Sequence, residues 1–154
     1  MATAKWYGPA LQKLMTKQMD LINDTIKVAL VKSTYTPNQN THDEWADVSA
    51  NEVTGTGYTA GGIALASKTI TYNTTNKNWT FDAADSTWPN TNVAFRYAVI
   101  YDDTAAGKPL LGYLDFGTAQ TVSNQDLTIQ WSIMEQDPES GTFYSDSGIL
   151  RVSL

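Results

Sequence analysis

The chain of 154 residues holds one histidine, His42, and no cysteine. Those two counts limit its chemistry. Hydrolysis by a serine nucleophile needs a base, usually a histidine steadied by a carboxylate. His42 is the one available base, and Asp43 follows it, but no Gly-x-Ser-x-Gly motif occurs. The stretch Thr41-His42-Asp43-Glu44 fits a capping box, Thr at the cap and Glu three residues on, which makes His42 an exposed polar residue. The absence of cysteine excludes disulfides, thiolate metal sites and Cys nucleophiles. A single histidine excludes multi-His metal sites within one chain.

Carboxylates offer little more. Glycosidase chemistry needs a spaced pair of acids facing one cleft. Asp102 and Asp103 are adjacent at a turn, Asp43, Glu44 and Asp47 form a solvated helix face, and Asp82 and Asp85 flank a loop. Calcium needs only oxygen ligands, but no twelve-residue EF-hand-type loop is present. The run Gly55 to Gly62, GTGYTAGG, resembles a phosphate cradle in composition alone. A β-branched stretch follows it, not a helix N-terminus, so its glycines serve a loop with positive φ angles. No cofactor, metal or catalytic residue is expected.

The aromatic residues suggest binding. There are five Trp and eight Tyr, and such residues are enriched at protein interfaces. Trp79, Trp88 and Trp131 fall in strand patterns and are expected in the core. Trp6-Tyr7 and Phe143-Tyr144 lie in charge-poor segments and are expected at an interface. Leu11, Leu14 and Met15 join them. They belong, with Met19 and Ile22, to an apolar stripe at three- and four-residue steps. That stripe predicts a helix from Pro9 to Ile22, within an N-terminal arm spanning about 7–22.

The elements that must carry these residues are mostly strands. Thr25–Val31 alternates, and a short helix through Trp45, Ala46 and Val48 follows the capping box. Ile63–Tyr72 reads as a strand. Lys68–Tyr72 and Trp79–Phe81 form a hairpin about the turn Asn73–Asn78. Ser86–Trp88 ends at Pro89. Phe95–Tyr101 is apolar on both faces and so central, and Leu110–Phe116 pairs back on it. Leu127–Ile133 alternates again, Glu135–Ser147 is a polar loop, and Ile149–Leu154 closes the chain. About eight short strands with turns between them predict an all-β fold. The expectation is one domain, residues 1–154, an antiparallel β-sandwich of jelly-roll or immunoglobulin-like kind with an N-terminal α-helix.

Charge narrows the partners. Only 17% of residues are charged and the net charge is −6. Nucleic-acid binding by counterion release needs clustered Lys and Arg, and the ten basic residues are scattered. Anionic membrane surfaces are disfavoured for the same reason. No segment approaches the roughly 20 apolar residues of a membrane span. Lys13, Lys17 and Asp20 interrupt any signal-peptide core, so synthesis in the cytoplasm is expected.

Six segments in order carry a family resemblance. They are Asp24–Trp45 (DTIKVALVKSTYTPNQNTHDEW), Asn51–Asn73 (NEVTGTGYTAGGIALASKTITYN), Trp79–Pro89 (WTFDAADSTWP), Arg96–Thr104 (RYAVIYDDT), Leu110–Gly117 (LLGYLDFG) and Gly148–Leu154 (GILRVSL). Together they resemble small virion structural proteins of tailed bacteriophages. The chain departs from that pattern at Ser132–Ser147, where such proteins run more directly into the final strand. The resemblance implies a non-enzymatic particle component, first a capsid decoration or cement protein on the capsid exterior. Its partners would be the major capsid protein, other virion proteins and copies of itself, a trimer foremost. A tail or neck component, including a host-binding carbohydrate module, is the alternative.

Overall fold

The structure is a computed structural model and describes residues 2–136 and 143–153. It is mainly antiparallel β-structure with one short helix. In chain order come β1 (Thr3–Trp6), α1 (Gly8–Met15), β2 (Ile26–Val31), β3 (Ile63–Ala64), β4 (Thr69–Asn73), β5 (Asn78–Asp82), β6 (Ser86–Asp102), β7 (Leu110–Ile129), β8 (Ser132–Gln136), β9 (Phe143–Ser147) and β10 (Leu150–Ser153). A five-stranded sheet has the order β1-β7-β6-β2-β3 and a three-stranded sheet the order β10-β5-β4; β8 and β9 pair as a ribbon.

β6 lies between β7 and β2, as its two apolar faces require. Alternate side chains of a strand point to opposite faces. Ala98 and Ile100 join Val28 and Leu30 of β2 and Leu111 of β7 on one face. Phe81 of β5, Leu150 of β10 and Ile149 just ahead of it belong to the same buried cluster. Tyr97, Val99 and Tyr101 turn the other way, with Ala29, Val31, Leu110 and Tyr113. That face is covered by Tyr7, Tyr35, Val48 and the half-buried Trp45, whose ring stacks on Tyr101 at 4.4 Å.

The hairpin β4–β5 forms in the expected register, with Tyr72 opposite Trp79. Several boundaries differ. Ser86–Trp88 does not stop at Pro89, because β6 runs through it. The pairing register slips between Trp88 and Thr91, and a bulge is where a strand tolerates a residue without an N–H. Leu110–Phe116 and the start of Leu127–Ile133 are one strand, β7. Trp131 leaves it to be buried, its indole donating to Ser86 Oγ at 3.1 Å. Ile63–Tyr72 is cut in two by Ser67, whose φ is 52°. The polar loop Glu135–Ser147 is instead flanked by β8 and β9, paired Gln136 to Phe143.

The N-terminal segment departs most. The helix ends at Met15, not Ile22. Lys17 N–H donates to Leu14 and Gln18 N–H to Lys13, with Lys17 at φ 58°. That is a Schellman stop, with lysine where glycine is usual. Met19 and Leu21 are still buried, but from a turn in which Asp20 Oδ1 accepts the N–H groups of Ile22 and Asn23. Ahead of the helix, Thr3–Trp6 adds a strand to β7, Trp6 opposite Gly112. Residues 3–21 are therefore built into the sheet and core, not a free arm. The short helix after the capping box is a 3₁₀ turn, Trp45–Asp47, and the box is Glu44 with Asp47 rather than Thr41 with Glu44.

Deleting residues 1–19 removes an edge strand along with Tyr7, Ala10 and Met19. The remainder should lose cooperative melting or turn insoluble. A truncated chain that melts as the full one does would contradict this placement. The single change Tyr97→Ala should cost roughly 3–5 kcal/mol, the usual range for a buried aromatic, read from denaturant unfolding.

Candidate interaction surface

The residues expected at an interface fall into three groups. Tyr7 is fully buried, so it presents no surface. Its hydroxyl lies 2.8 Å from that of Tyr35 and its ring tilts on Tyr113. Trp6 is half-buried, its indole donating to the Arg151 carbonyl at 3.0 Å. Leu14 packs against the main core. Leu11 and Met15 do face solvent, 40% and 79% exposed. Phe143 and Tyr144 sit in β9 opposite Gln136 and Glu135, and their side chains lie outside the described residues.

One apolar group was missed by the sequence reading. Trp79, expected in the core, is 45% exposed. Cross-strand partners share a face, so Ile70, Phe81 and Leu150 form one row of the three-stranded sheet, and Tyr72, Trp79 and Val152 the next. Phe81 and Leu150 are covered by the large sheet, while Ile70 and Tyr72 are 43% and 41% exposed. The Tyr72 and Trp79 rings lie 5.1 Å apart. The face begins in the core and runs out from under its cover. Alternation cannot reveal this, because it tells which side chains share a face and not where the facing sheet stops. Trp88 and Trp131 are buried as expected.

The titratable groups mostly hold the fold together. His42 is half-buried rather than exposed, and its Nδ1 accepts from Asn38 N–H at 3.3 Å. Tyr35 lies 2.7 Å from the same nitrogen. With Nδ1 accepting, the chain runs Tyr7 O–H to Tyr35 O–H to His42. Burial raises the Tyr35 phenol to about 12, opposed by the hydrogen bond from Tyr7. Nδ1 of His42 is thus occupied in fastening Tyr35 and the Asn38 N–H. Asp103 meets Lys27 and Lys108, each at 2.7 Å; burial pushes its carboxyl up, but the two ammonium groups outweigh this and hold it low. Among the described residues, no three His, Cys, Asp or Glu side chains gather as a metal site.

The Gly-rich loop also has a structural task. Tyr58 donates to Glu52 at 2.7 Å and accepts from Leu30 N–H at 3.1 Å. Glu52 also accepts Gly61 N–H, and Tyr101 donates to the Gly61 carbonyl. Gly62 has φ 73°, and a Cβ there would meet the Val28 carbonyl at 1.9 Å. The loop is fastened onto β2, in line with the reading of positive-φ glycines.

Among the described residues, Asp102 is the one carboxyl raised, to about 6. Burial is the main cause, and the neighbouring Asp24 carboxyl adds to it. Its Oδ1 accepts Thr104 and Ala105 N–H; its Oδ2 is buried without a donor. A proton on either acid would supply one. A carboxyl raised on folding favours the fold at low pH, and that advantage is lost as pH rises through about 6. Asp47, held low by the N–H groups of Asp43 and Glu44, and Asp115, held low by Arg96, act the other way and below the usual carboxylate range. From pH ~4 to ~7 the slope therefore follows Asp102.

Asp102→Asn, which keeps the Oδ1 acceptor and supplies a donor, should raise the melting temperature at pH 8 and flatten its fall over that range. An unchanged pH profile would contradict the assignment. His42→Ala leaves the Tyr35 hydroxyl without its acceptor and should cost about 1–3 kcal/mol, checked by urea unfolding against wild type. No protein family, curated protein or solved structure matches the chain.

Proposed function

We propose that the protein is a non-enzymatic structural component of a tailed-phage virion, and specifically a capsid decoration or cement protein on the capsid exterior. The reading is carried by the six ordered segments from Asp24 to Leu154. Two features support it. The polar chemistry of the chain is spent on fastening loops to sheets, as at His42, Glu52 and Asp103. Apolar side chains nevertheless remain exposed on a charge-poor body, Leu11 and Met15 on α1 and Ile70, Tyr72 and Trp79 on the small sheet. We read the two sheets, joined through Phe81, Ile149 and Leu150, as a sandwich of jelly-roll or immunoglobulin-like kind.

The mechanism is bridging. A copy seated where shell subunits meet buries apolar area against more than one of them. At about 25 cal/mol per Å² of apolar surface buried, the shell subunits then part only at added cost. Its partners are the major capsid protein and neighbouring copies, which meet as a trimer on the shell and not in free solution. Exposed aromatics at such a contact are the usual anchors of binding energy.

One observation favours a second reading, a tail or neck protein that binds host glycans. The Tyr72–Trp79 pair presents two adjacent aromatic rings on an open sheet, a platform on which sugar rings can stack.

Co-sedimentation with empty shells separates the two. The wild-type chain should pellet with shells at micromolar concentration. The double variant Leu11→Glu, Met15→Glu should bind at least tenfold more weakly with unchanged melting. Failure of the wild type to pellet, with glycan binding that is lost in Trp79→Ala, would replace the capsid reading by the tail reading.

A further inference from the structure

β4 is an edge strand. Its inner side pairs with β5, and no described strand pairs with its outer side. Every second residue of an edge strand presents an unpaired N–H and C=O. Proteins normally blunt such edges with charge, proline or a bulge. The five residues Thr69-Ile70-Thr71-Tyr72-Asn73 contain no charge and no proline, and the register with β5 is unbroken. Lys68, just before the strand, is drawn back onto the Asp24 carbonyl.

The composition of the strand suits one partner. Two copies set antiparallel about a two-fold axis through Thr71 place Thr71 opposite Thr71. Ile70 of each then faces Tyr72 of the other, and Thr69 faces Asn73. Threonine pairs and aromatic with β-branched pairs are among the favourable cross-strand neighbours. No charged residue is opposite a like charge, because Lys68 would face Thr74. The two exposed apolar rows also become continuous. Trp79 and Tyr72 of one copy run into Ile70 and Phe81 of the other, so both partly uncovered faces extend across the axis.

We infer that β4 is a self-association edge, through which two copies of this chain join their three-stranded sheets into one antiparallel sheet of six strands. The contact is isologous: the same strand serves on both sides, and it closes at two copies. It is also short. At about 3.4 Å per residue five residues span only ~17 Å, so the dimer is weak in dilute solution and fills as concentration rises. The inference does not depend on where in a particle the protein sits, and it can fail while the capsid reading holds.

The lack of cysteine makes the test clean. Thr71→Cys places two thiols across the axis. Directly opposed residues in an antiparallel pair have Cα atoms 4.5–5.5 Å apart, within disulfide range. Thr75→Cys, in the adjoining turn, would put its two thiols more than ~20 Å apart in the same dimer. Under mild oxidation Thr71→Cys should form a covalent dimer at least tenfold faster than Thr75→Cys. Sedimentation velocity of the wild-type chain should show a concentration-dependent monomer–dimer equilibrium. Thr71→Lys, which sets two ammonium groups face to face, should shift it to monomer with unchanged melting. Equal cross-linking of the two cysteine variants would overturn the inference. So would a wild-type chain that stays monomeric at every concentration, or self-association that persists in Thr71→Lys.

Discussion

The middle of the large sheet is apolar on both faces, and the rest of the molecule answers to that constraint. From Tyr97 to Asp102 every side chain of β6 is buried. Its neighbour β2 is nearly the same, with Lys27 alone half-buried. A sheet of this kind is unstable with either face in water, since each large apolar side chain left exposed forfeits ~1.5–3 kcal/mol. Two covers are therefore required. Strands β5 and β10 contribute to one, through Phe81 and Leu150, together with Ile149 just ahead of β10. The segment between β2 and β3, which has little regular structure, provides most of the other.

The second cover explains why so many polar side chains serve the backbone. A loop laid on a sheet brings backbone groups that need partners, and it lacks the ladder that fixes a strand. Here Tyr7, Tyr35 and His42 form one fastening, Tyr58, Glu52 and Tyr101 another, and Glu44 with Asp47 a third. The lone histidine and the Gly-rich run, which by residue type alone could have served catalysis or phosphate binding, are both accounted for by this need. Asp102 and Asp24 are the exception. They bring two acids together with a buried oxygen left over, which makes this corner, among the described residues, the one that gains from a proton.

Much of this was legible in the residues. Alternation identified β2, because burial on a pleated sheet leaves a period of two; an apolar run on both faces identified the centre of β6, and the turn cluster Asn73–Asn78 the β4–β5 hairpin. What escaped was set by tertiary context. β1 has no pattern of its own, Ala4 being its sole small apolar residue between Thr3 and Lys5; it exists because β7 offers an edge. The apolar steps through Met19 and Ile22 look helical, yet Lys17 in a left-handed conformation ends the helix and Met19 reaches the core from a turn. Pro89 reads as a stop and Leu110–Phe116 as a strand separate from Leu127–Ile133, but a bulged two-stranded ribbon runs through both. The exposure of Trp79 follows from where the large sheet ends, which no local pattern contains. Of the site residues, Leu11 and Met15 are exposed and Tyr7 is interior.

The resulting body has its chemistry turned inward and some of its apolar surface turned outward, which suits a protein whose work is to be held between others. The most direct test is to locate it in the particle by cryo-electron microscopy of purified virions, with quantitative mass spectrometry for its abundance. The account predicts density for the chain on the capsid exterior, at junctions between capsomers, in copy number comparable with that of the shell protein. Density confined to the neck or tail at a few copies, or no copies in the virion, would contradict it.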